Sequence, residues 1–277
     1  MLRILPFVLF ASTLVAQAPP DIAMERSGYV AWLKKAPNSP LLAVAQRRVG
    51  EGVRLGPAEA DIPLEGVGEY RVSPGGTGFV LEGPGGTRTI GRGHPYRIGN
   101  YALYLTGTGS ATVLTVFADK AKKDPPGYYD YDASLAFTGP LLRSKNPERV
   151  RVLAADGTEA EATEVGTVVV PLGGRSTLRV LRIPIAGGEE SDLEIFFRDE
   201  TNAKGTYPAG RFVSLVPAAD GNFRLDFNRA RNPYCAYSSA YACPLPWRGN
   251  TIPQPVRAGE RYAGGGLESG PAGVDSN

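Results

Sequence analysis

Short apolar stretches that end at glycine or proline recur along most of the chain. Before residue 120 they are GEYRVSP, GFVLEG, TRTIGRG, YALYLTG and ATVLTVFAD, and after residue 132 they resume as SLAFTG, VRVLAA, EATEVGTVVVPL, STLRVLRIP, DLEIFFRDE, GRFVSLVP and NFRLDFN. A spacing of about 8–12 residues between such stretches is typical of antiparallel sandwiches and barrels. The pattern therefore predicts an all-β protein with mainly antiparallel, sandwich-like or barrel-like sheets.

One region near the N-terminus has helical periodicity instead. Apolar residues recur at roughly helical spacing from Asp21 to about Arg48. Pro37 and Pro40 divide this region, and Ser39 is suited to cap its second part. We therefore predict one or two short N-terminal helices, with the break at the prolines.

The first 18 residues, MLRILPFVLFASTLVAQA, have the features of a secretory signal peptide. Arg3 supplies the positive charge, a short apolar run follows, and Ala16-Gln17-Ala18 provides the small-residue cleavage motif. The apolar run is shorter than the roughly 20 residues that a membrane span needs. We predict an extracytoplasmic protein, periplasmic or secreted, with no membrane span once the signal is removed.

A charged segment rich in proline and glycine, AKKDPPGYYDYD, separates the two sets of strands. It divides the chain into a signal peptide at 1–18, an N-terminal helix with a β-rich subdomain at 21–120, a linker at 121–132 and a second β-rich subdomain at 133–262. The glycine-rich residues 263–277 are predicted to be disordered.

Composition and motifs exclude several functions. The net charge of +2 is too small to indicate nucleic-acid binding. Nucleophile-elbow, Walker and dinucleotide-binding motifs are missing from the sequence. His94 is the only histidine, which excludes histidine-rich zinc sites, and it lies in a glycine-proline turn, as an exposed residue or a general base. We predict no metal and no cofactor.

Strand alternation places polar side chains together in the second half. In DLEIFFRDE, Asp199 extends the apolar side of the strand, where a carboxylate needs a partner. Its candidate partners are Thr201, Thr206, Tyr207 and Arg211. The cluster would either bind a ligand or cap the following loop.

A second polar row follows in LDFNRARNP. Asp226 shares a strand face with Arg224 and Asn228, and the row continues through Arg229 into a loop at Asn232 and Pro233. Such a row is either a solvated set of cross-strand pairs or the approach to a site on a loop.

Cys235 and Cys243 enclose seven residues and are the only cysteines. In an exported protein a pair so close in sequence predicts a disulfide. A metal site built on the two thiolates, and a cysteine nucleophile activated by Arg229 or Arg231, are the alternatives.

Three segments carry a family resemblance: FRDETNAKGTYPAGRF, LDFNRARNPYCAYSSAYACPLP and VRAGERY. Over residues 191–262 the chain resembles the domain of unknown function 1684 family of bacterial proteins. The resemblance implies no known activity, but it directs attention to a candidate site cluster of Asp199, Thr201, Thr206, Tyr207, Arg211, Asp226, Asn228, Arg229 and Asn232.

The chain departs from the family pattern at several positions. Ala203 and Pro208 replace loop glycines, Arg231 replaces a tyrosine, and residues 247–249 replace Pro-Pro-Glu beside Asn250. If that glutamate contributes to binding or catalysis in the family, this chain lacks its contribution.

Three functions fit these observations. The first is an exported module that binds an unknown small molecule or envelope component, or supports the envelope structurally. The alternative is a hydrolase that uses Asp199 or Asp226 as acid or base, with Arg211 or Arg229 holding an anionic group. In the third, the signature residues only hold the C-terminal loop on the sheet.

Overall fold

The computed structural model describes residues 17–76, 78–121, 123–184, 191–245 and 247–262. The predicted disordered tail at 263–277 and nearly all of the predicted signal peptide lie outside these residues, so both stay predictions.

The first predicted helix is present as α1, Pro20–Lys35. Proline at its first position, Asp21 in its first turn and lysines in its last turn all suit a helix and its dipole. The second predicted helix is not present. Ser39 caps a single 3-10 turn at Pro40–Leu42, and the following residues form a strand because they pair with a neighbouring strand in a sheet.

Nine strands lie in the N-terminal half of the described chain and form two sheets, with the orders β1-β9-β8-β7 and β3-β2-β4-β5-β6. The strands are β1 (Ala43–Arg48), β2 (Val53–Gly56), β3 (Ile62–Pro63), β4 (Tyr70–Gly75), β5 (Gly78–Gly83), β6 (Gly86–Ile90), β7 (Tyr96–Ile98), β8 (Tyr101–Thr106) and β9 (Val113–Ala118).

The described C-terminal half forms one sheet of order β10-β16-β15-β14-β13-β12-β11, and β17 pairs with β14. The strands are β10 (Ala136–Gly139), β11 (Leu142–Leu153), β12 (Glu159–Val170), β13 (Ser176–Pro184), β14 (Ser191–Asp199), β15 (Arg211–Pro217), β16 (Phe223–Asp226) and β17 (Thr251–Ile252). Pairing is antiparallel throughout except for β2 with β3 and β14 with β17. The predicted all-β class is confirmed.

Alternating side chains of β14 pack into two different apolar clusters. On β14, Ile195 and Phe197 enter one apolar cluster, whereas Phe196 enters another with Phe212 and Trp247. This matches the alternation expected from DLEIFFRDE. The buried carboxylate at the end of β14 therefore lies on the larger of the two apolar faces.

Strand β9 joins the two halves. Leu114 and Val116 point into the core shared by the two N-terminal sheets, while Phe117 packs against the C-terminal half with Tyr207, Cys235 and other residues of the family segments. The signature region is thus held against the N-terminal sheet by apolar contacts, and a junction forms between the halves.

Candidate functional site

Asp199, at the end of β14, is fully occupied by internal partners. Its Oδ1 accepts hydrogen bonds from the Thr201 backbone N–H at 2.8 Å, the Thr201 hydroxyl at 2.6 Å and the Val256 backbone N–H at 3.0 Å. Its Oδ2 is 2.9 Å from Nη2 of Arg211. Both side chains of this ion pair have 0% exposed area. The sequence-predicted partnership of Asp199 and Arg211 is a buried ion pair.

Arg211 also fastens the C-terminal segment to the sheet. Its Nη2 donates to the Val256 carbonyl at 2.8 Å and its Nη1 donates to the Ala258 carbonyl. Its guanidinium lies over the ring of Phe197, 5.2 Å from the ring centre. Burial lowers the pKa of Arg211, and the Asp199 charge acts in the opposite direction. The guanidinium thus spans β14, β15 and residues 256–258.

The loop between β14 and β15 is closed by its own polar groups. The hydroxyls of Thr201 and Thr206 are 2.8 Å apart. The side chain of Asn202 accepts from the Asp199 backbone N–H at 2.6 Å and donates to the Tyr207 carbonyl at 2.5 Å. Burial raises the pKa of Tyr207 to about 12. These bonds fix the loop as a rigid turn.

Ala203 occupies a strained position in this loop. Its φ is +61°, in the left-handed region that favours glycine, and the family pattern has glycine here. Ala203→Gly is therefore expected to raise the free energy of unfolding by about 0.5–1 kcal/mol, since relief of strain exceeds the added entropy of the unfolded chain. Urea denaturation measures this change.

Ala58→Gly is the matched control for that prediction, because Ala58 is exposed and does not have a positive φ. It should leave stability unchanged or lower it slightly. An Ala203→Gly variant less stable than the natural protein would show that the left-handed backbone carries no strain here.

Asp226 belongs to a second network. Its Oδ1 accepts from the Asn228 backbone N–H and side-chain amide at 3.0 and 2.9 Å, and its Oδ2 is 2.9 Å from Nη2 of Arg224. Asn228 bonds both backbone groups of Asp132 in the predicted linker, at 2.8 and 2.9 Å. Within the described chain, no hydrogen bond or ion pair joins Asp226 to Asp199 or Arg211.

Arg229 extends this second network to helix α1. Its guanidinium forms ion pairs with Asp21, at 2.5 Å, and with Glu25. From the helix, Arg26 donates to the carbonyls of Asn228 and Tyr129, each at 3.0 Å. The row of polar residues at 226–229 therefore docks the N-terminal helix.

Asn232, the last candidate, lies above a buried carboxylate that sequence analysis did not single out. Its backbone N–H donates to Oε2 of Glu260 at 2.7 Å, and its side-chain amide donates to the Arg261 carbonyl at 3.2 Å. The Oδ1 atom of Asn232 is buried and has no hydrogen-bond partner among the described residues. An acceptor left in this state is the kind of group that a ligand or water satisfies.

Glu260 is 1% exposed and has no ion-pair partner in the described parts of the chain. The Tyr237 hydroxyl donates to its Oε2 at 2.6 Å, and the Tyr128 hydroxyl lies 3.4 Å from its Oε1. Burial raises the pKa of Glu260 to about 7, against the effect of these hydrogen bonds. The segment VRAGERY contains this residue, so the family resemblance was the one sequence signal that could have identified it.

A cleft of about 1100 Å³ opens at the junction between the two halves. Its walls come from helix α1, the end of β1, the 107–111 turn, β11 to β15 and the signature residues that follow Arg229. The lining residues used below are Tyr29, Arg48, Arg151, Ala155, Asp156, Glu159, Glu161, Asp192, Glu194, Phe212, Arg231, Asn232 and Tyr234. Of the nine predicted site residues, only Asn232 lines this cleft.

Arg231 is a feature of the cleft that the family pattern does not share. Its Nη2 is 2.8 Å from Oε1 of Glu194, which also accepts from the Ser214 hydroxyl at 2.7 Å. Glu194 is 6% exposed, so without the arginine it would be a nearly buried carboxylate with no opposite charge beside it. The arginine that replaces the family's tyrosine thus forms an ion pair with Glu194.

The two cysteine sulfur atoms lie at disulfide distance, with 5.5 Å between the Cα atoms. Cys235 packs against the N-terminal sheet, and Cys243 is exposed, with its sulfur 3.2 Å from the Tyr207 hydroxyl. The bridge closes the turn that carries Tyr237 and Tyr241, and Tyr234 directly precedes this turn. It therefore shapes both the junction and one wall of the cleft.

Replacing both cysteines with serine is expected to lower the free energy of unfolding by about 2–3 kcal/mol, because the bridge restricts the unfolded chain over a short loop. Urea denaturation of the oxidised protein measures the effect. Adding a reductant should destabilise the natural protein by a similar amount and leave the variant unchanged. Equal stability of both oxidised proteins would contradict the prediction.

Two kinds of feature are missing from the described ranges. They contain no cluster of three or more His, Cys, Asp or Glu side chains suited to a metal ion. They also contain no helix with the length and apolar character of a membrane span.

Comparison with known proteins relates the chain to one family. The sequence profile described as Protein of unknown function (DUF1684) matches residues 126–261. Among solved structures, an uncharacterized protein of Haloarcula marismortui, determined by solution NMR, is 32% identical, with 53% of this chain and 79% of that chain covered and a TM-score of 0.43. No curated protein matches the chain. All nine predicted site residues and Glu260 lie inside the matched range.

Proposed function

This chain belongs to the family described as Protein of unknown function (DUF1684), and from that premise we propose that it is an exported protein that binds a small ligand in the junction cleft. The observation that carries the proposal is the position of Asn232. A residue of the family signature contributes a buried, unpartnered oxygen to a large cleft lined by aromatic and charged side chains. Concave sites with a few convergent polar groups are typical of ligand binding.

The Asp199–Arg211 pair supports the walls of the cleft and does not bind the ligand. Each charge of the pair is balanced by the other, and both side chains form hydrogen bonds with neighbouring backbone groups. The pair thereby connects the strands and loops that carry the cleft residues. The hydrolase alternative would need a carboxylate that substrate can reach, and the Asp199 side chain has no exposed area. No specific observation favours that alternative.

Ligand binding is tested by a thermal-shift screen of small molecules. A ligand that binds only the folded protein raises the melting temperature in a concentration-dependent way. Ala155→Trp places an indole in the cleft and should abolish the shift, whereas Ala219→Trp, at an exposed turn outside the cleft, should preserve it. A shift that survives Ala155→Trp, or a screen without any shift, would overturn the cleft assignment.

Export is proposed from the N-terminal sequence and supported by the paired cysteines, since disulfides persist in oxidising compartments. Expression of the full chain in a bacterial host, followed by fractionation and intact-mass analysis, tests it. The expected product is extracytoplasmic and begins at Pro19. Recovery of the uncleaved chain in the cytoplasm would overturn export without affecting the cleft.

A further inference from the structure

The positive charges of the cleft are outnumbered by its carboxylates. The lining holds three arginines and five carboxylates, and each arginine faces a glutamate. Two form ion pairs at 2.6 and 2.8 Å, and the third lies directly opposite its glutamate in the β11–β12 register. The pairs are Arg48 with Glu159, Arg231 with Glu194, and Arg151 with Glu161.

Two carboxylates remain after this pairing, which leaves the cleft lining with a net negative charge. Asp192 forms no ion pair within the described ranges. Asp156 uses one oxygen to cap its own turn, accepting from the Thr158 backbone N–H at 3.0 Å and its hydroxyl at 2.7 Å. Its other oxygen accepts no hydrogen bond from the described residues. Asp156 therefore offers the cleft a free hydrogen-bond acceptor.

Asn232 also offers the cleft an unpartnered acceptor, independently of Asp156. Asn232 is 2% exposed, and its Nδ2 donates a hydrogen bond to the Arg261 carbonyl, so the side-chain atom without a partner is the oxygen. A buried acceptor without a donor costs free energy that a ligand N–H would recover. The site thus calls for a hydrogen-bond donor on the ligand.

Aromatic rings complete the setting. The backbone N–H of Tyr234 donates to the Ala155 carbonyl at 2.7 Å. Burial, and after it the Asp156 charge, raises the pKa of the Tyr234 hydroxyl to about 12. Tyr29, from the helix, and Phe212, from the sheet, supply further ring surface to the cleft. Aromatic faces attract cations, and this attraction grows as water is removed.

We propose that the ligand of the junction cleft is a cationic amine, a proposal that rests on the proposed ligand-binding function. Its ammonium group binds between the free oxygen of Asp156 and Oδ1 of Asn232, with its carbon chain against the aromatic rings. The five carboxylates of the lining outnumber its three arginines, which disfavours a phosphate or carboxylate as the ligand.

Isothermal titration with spermidine, butylamine, maltose and inorganic phosphate tests this assignment. The natural protein should bind at least one of the two amines and bind neither maltose nor phosphate. Asp156→Asn removes the charge and keeps the oxygen that caps the turn, so it should weaken amine binding about tenfold without unfolding the protein. Asp124→Asn, at an exposed site outside the cleft, should bind like the natural protein.

The outcomes separate the amine assignment from the proposed function. If maltose or phosphate binds and Ala155→Trp blocks that binding, the cleft is a ligand site but the amine assignment is wrong. Amine binding that is equal in Asp156→Asn and Asp124→Asn would also overturn the assignment. If none of the four probes binds, the amine assignment fails, and the thermal-shift screen decides the proposed function by itself.

Discussion

Replacing Arg211 with methionine is expected to lower the free energy of unfolding by about 3–5 kcal/mol. The change leaves the Asp199 carboxylate buried without its opposite charge, and it removes donors from the Val256 and Ala258 carbonyls. Methionine conserves much of the apolar length of the side chain, so the loss reflects charge and hydrogen bonding more than an empty cavity. Urea denaturation monitored by tryptophan fluorescence gives the value.

A double-mutant cycle provides the control for this prediction. Asp199→Asn together with Arg211→Met removes both charges, while the introduced amide retains one oxygen for the Thr201 and Val256 N–H groups. The double variant should therefore be less destabilised than the sum of the single variants. If Arg211→Met alone costs less than about 1 kcal/mol, the buried pair does not support the fold.

The partnership between Asp199 and Arg211 was predictable because strand alternation is a local rule. The period of two in DLEIFFRDE placed the carboxylate on the apolar side of β14, and a buried carboxylate requires a partner. The same rule placed Phe196 on the opposite face from Phe197. For these residues of β14, the strand period alone was sufficient, whereas Asn228, predicted on the strand face of Asp226, lies in a 3-10 turn that follows β16.

Sequence was insufficient where side chains meet across long chain separations. Arg229 pairs with acids about 200 positions earlier on α1, and Glu260 receives a hydrogen bond from Tyr128 across 132 positions. No local periodicity encodes such contacts. The second predicted helix failed for a related reason: pairing of β1 with β9 overrides a weak helical pattern.

The polar residues of the signature separate into three roles once their contacts are known. Asp199 and Arg211 tie the sheet to residues 256–258, Asp226 and Asn228 tie it to the linker and helix, and Asn232 lies at the cleft. Chain proximity in LDFNRARNP therefore does not indicate one shared site. The buried networks hold the walls in place, which preorganises the cleft that we propose as the ligand site.

The junction also explains why so many aromatic residues lie in the cysteine turn and directly before it. Tyr234 faces the cleft, Tyr237 bonds Glu260, and Tyr241 packs toward the N-terminal sheet. Burial raises the pKa of each of these hydroxyls, so all three remain neutral donors near neutral pH. A neutral donor is what the buried carboxylate of Glu260 requires.

Glu260→Gln is expected to remove a pH dependence of stability that the natural protein shows between about pH 4.5 and 7. The pKa of Glu260 is raised from 4.5 to about 7, chiefly by burial, so the folded protein binds this proton more tightly than the unfolded chain. Its contribution is fully present below pH 4.5 and is lost as pH rises through 7, by about 3 kcal/mol in total.

Glutamine is a close substitute for the protonated acid. Its oxygen can accept from the Asn232 N–H and the Tyr237 hydroxyl, and its amide can donate to the Tyr128 hydroxyl, as a proton on Oε1 would. Other charges act on Glu260 from neighbouring elements, chiefly that of Arg231, and they remain in the variant. The variant should therefore match the natural protein near pH 4 and exceed it in stability at pH 8.

Urea denaturation at a series of pH values measures this difference for the natural protein and the Glu260→Gln variant. Glu65→Gln, at an exposed position, is the matched control, and its difference from the natural protein should stay constant with pH. Because other carboxylates titrate equally in all three proteins, the difference curve isolates Glu260. A difference between Glu260→Gln and the natural protein that is flat from pH 4.5 to 8 would contradict the buried, proton-binding state of this carboxylate.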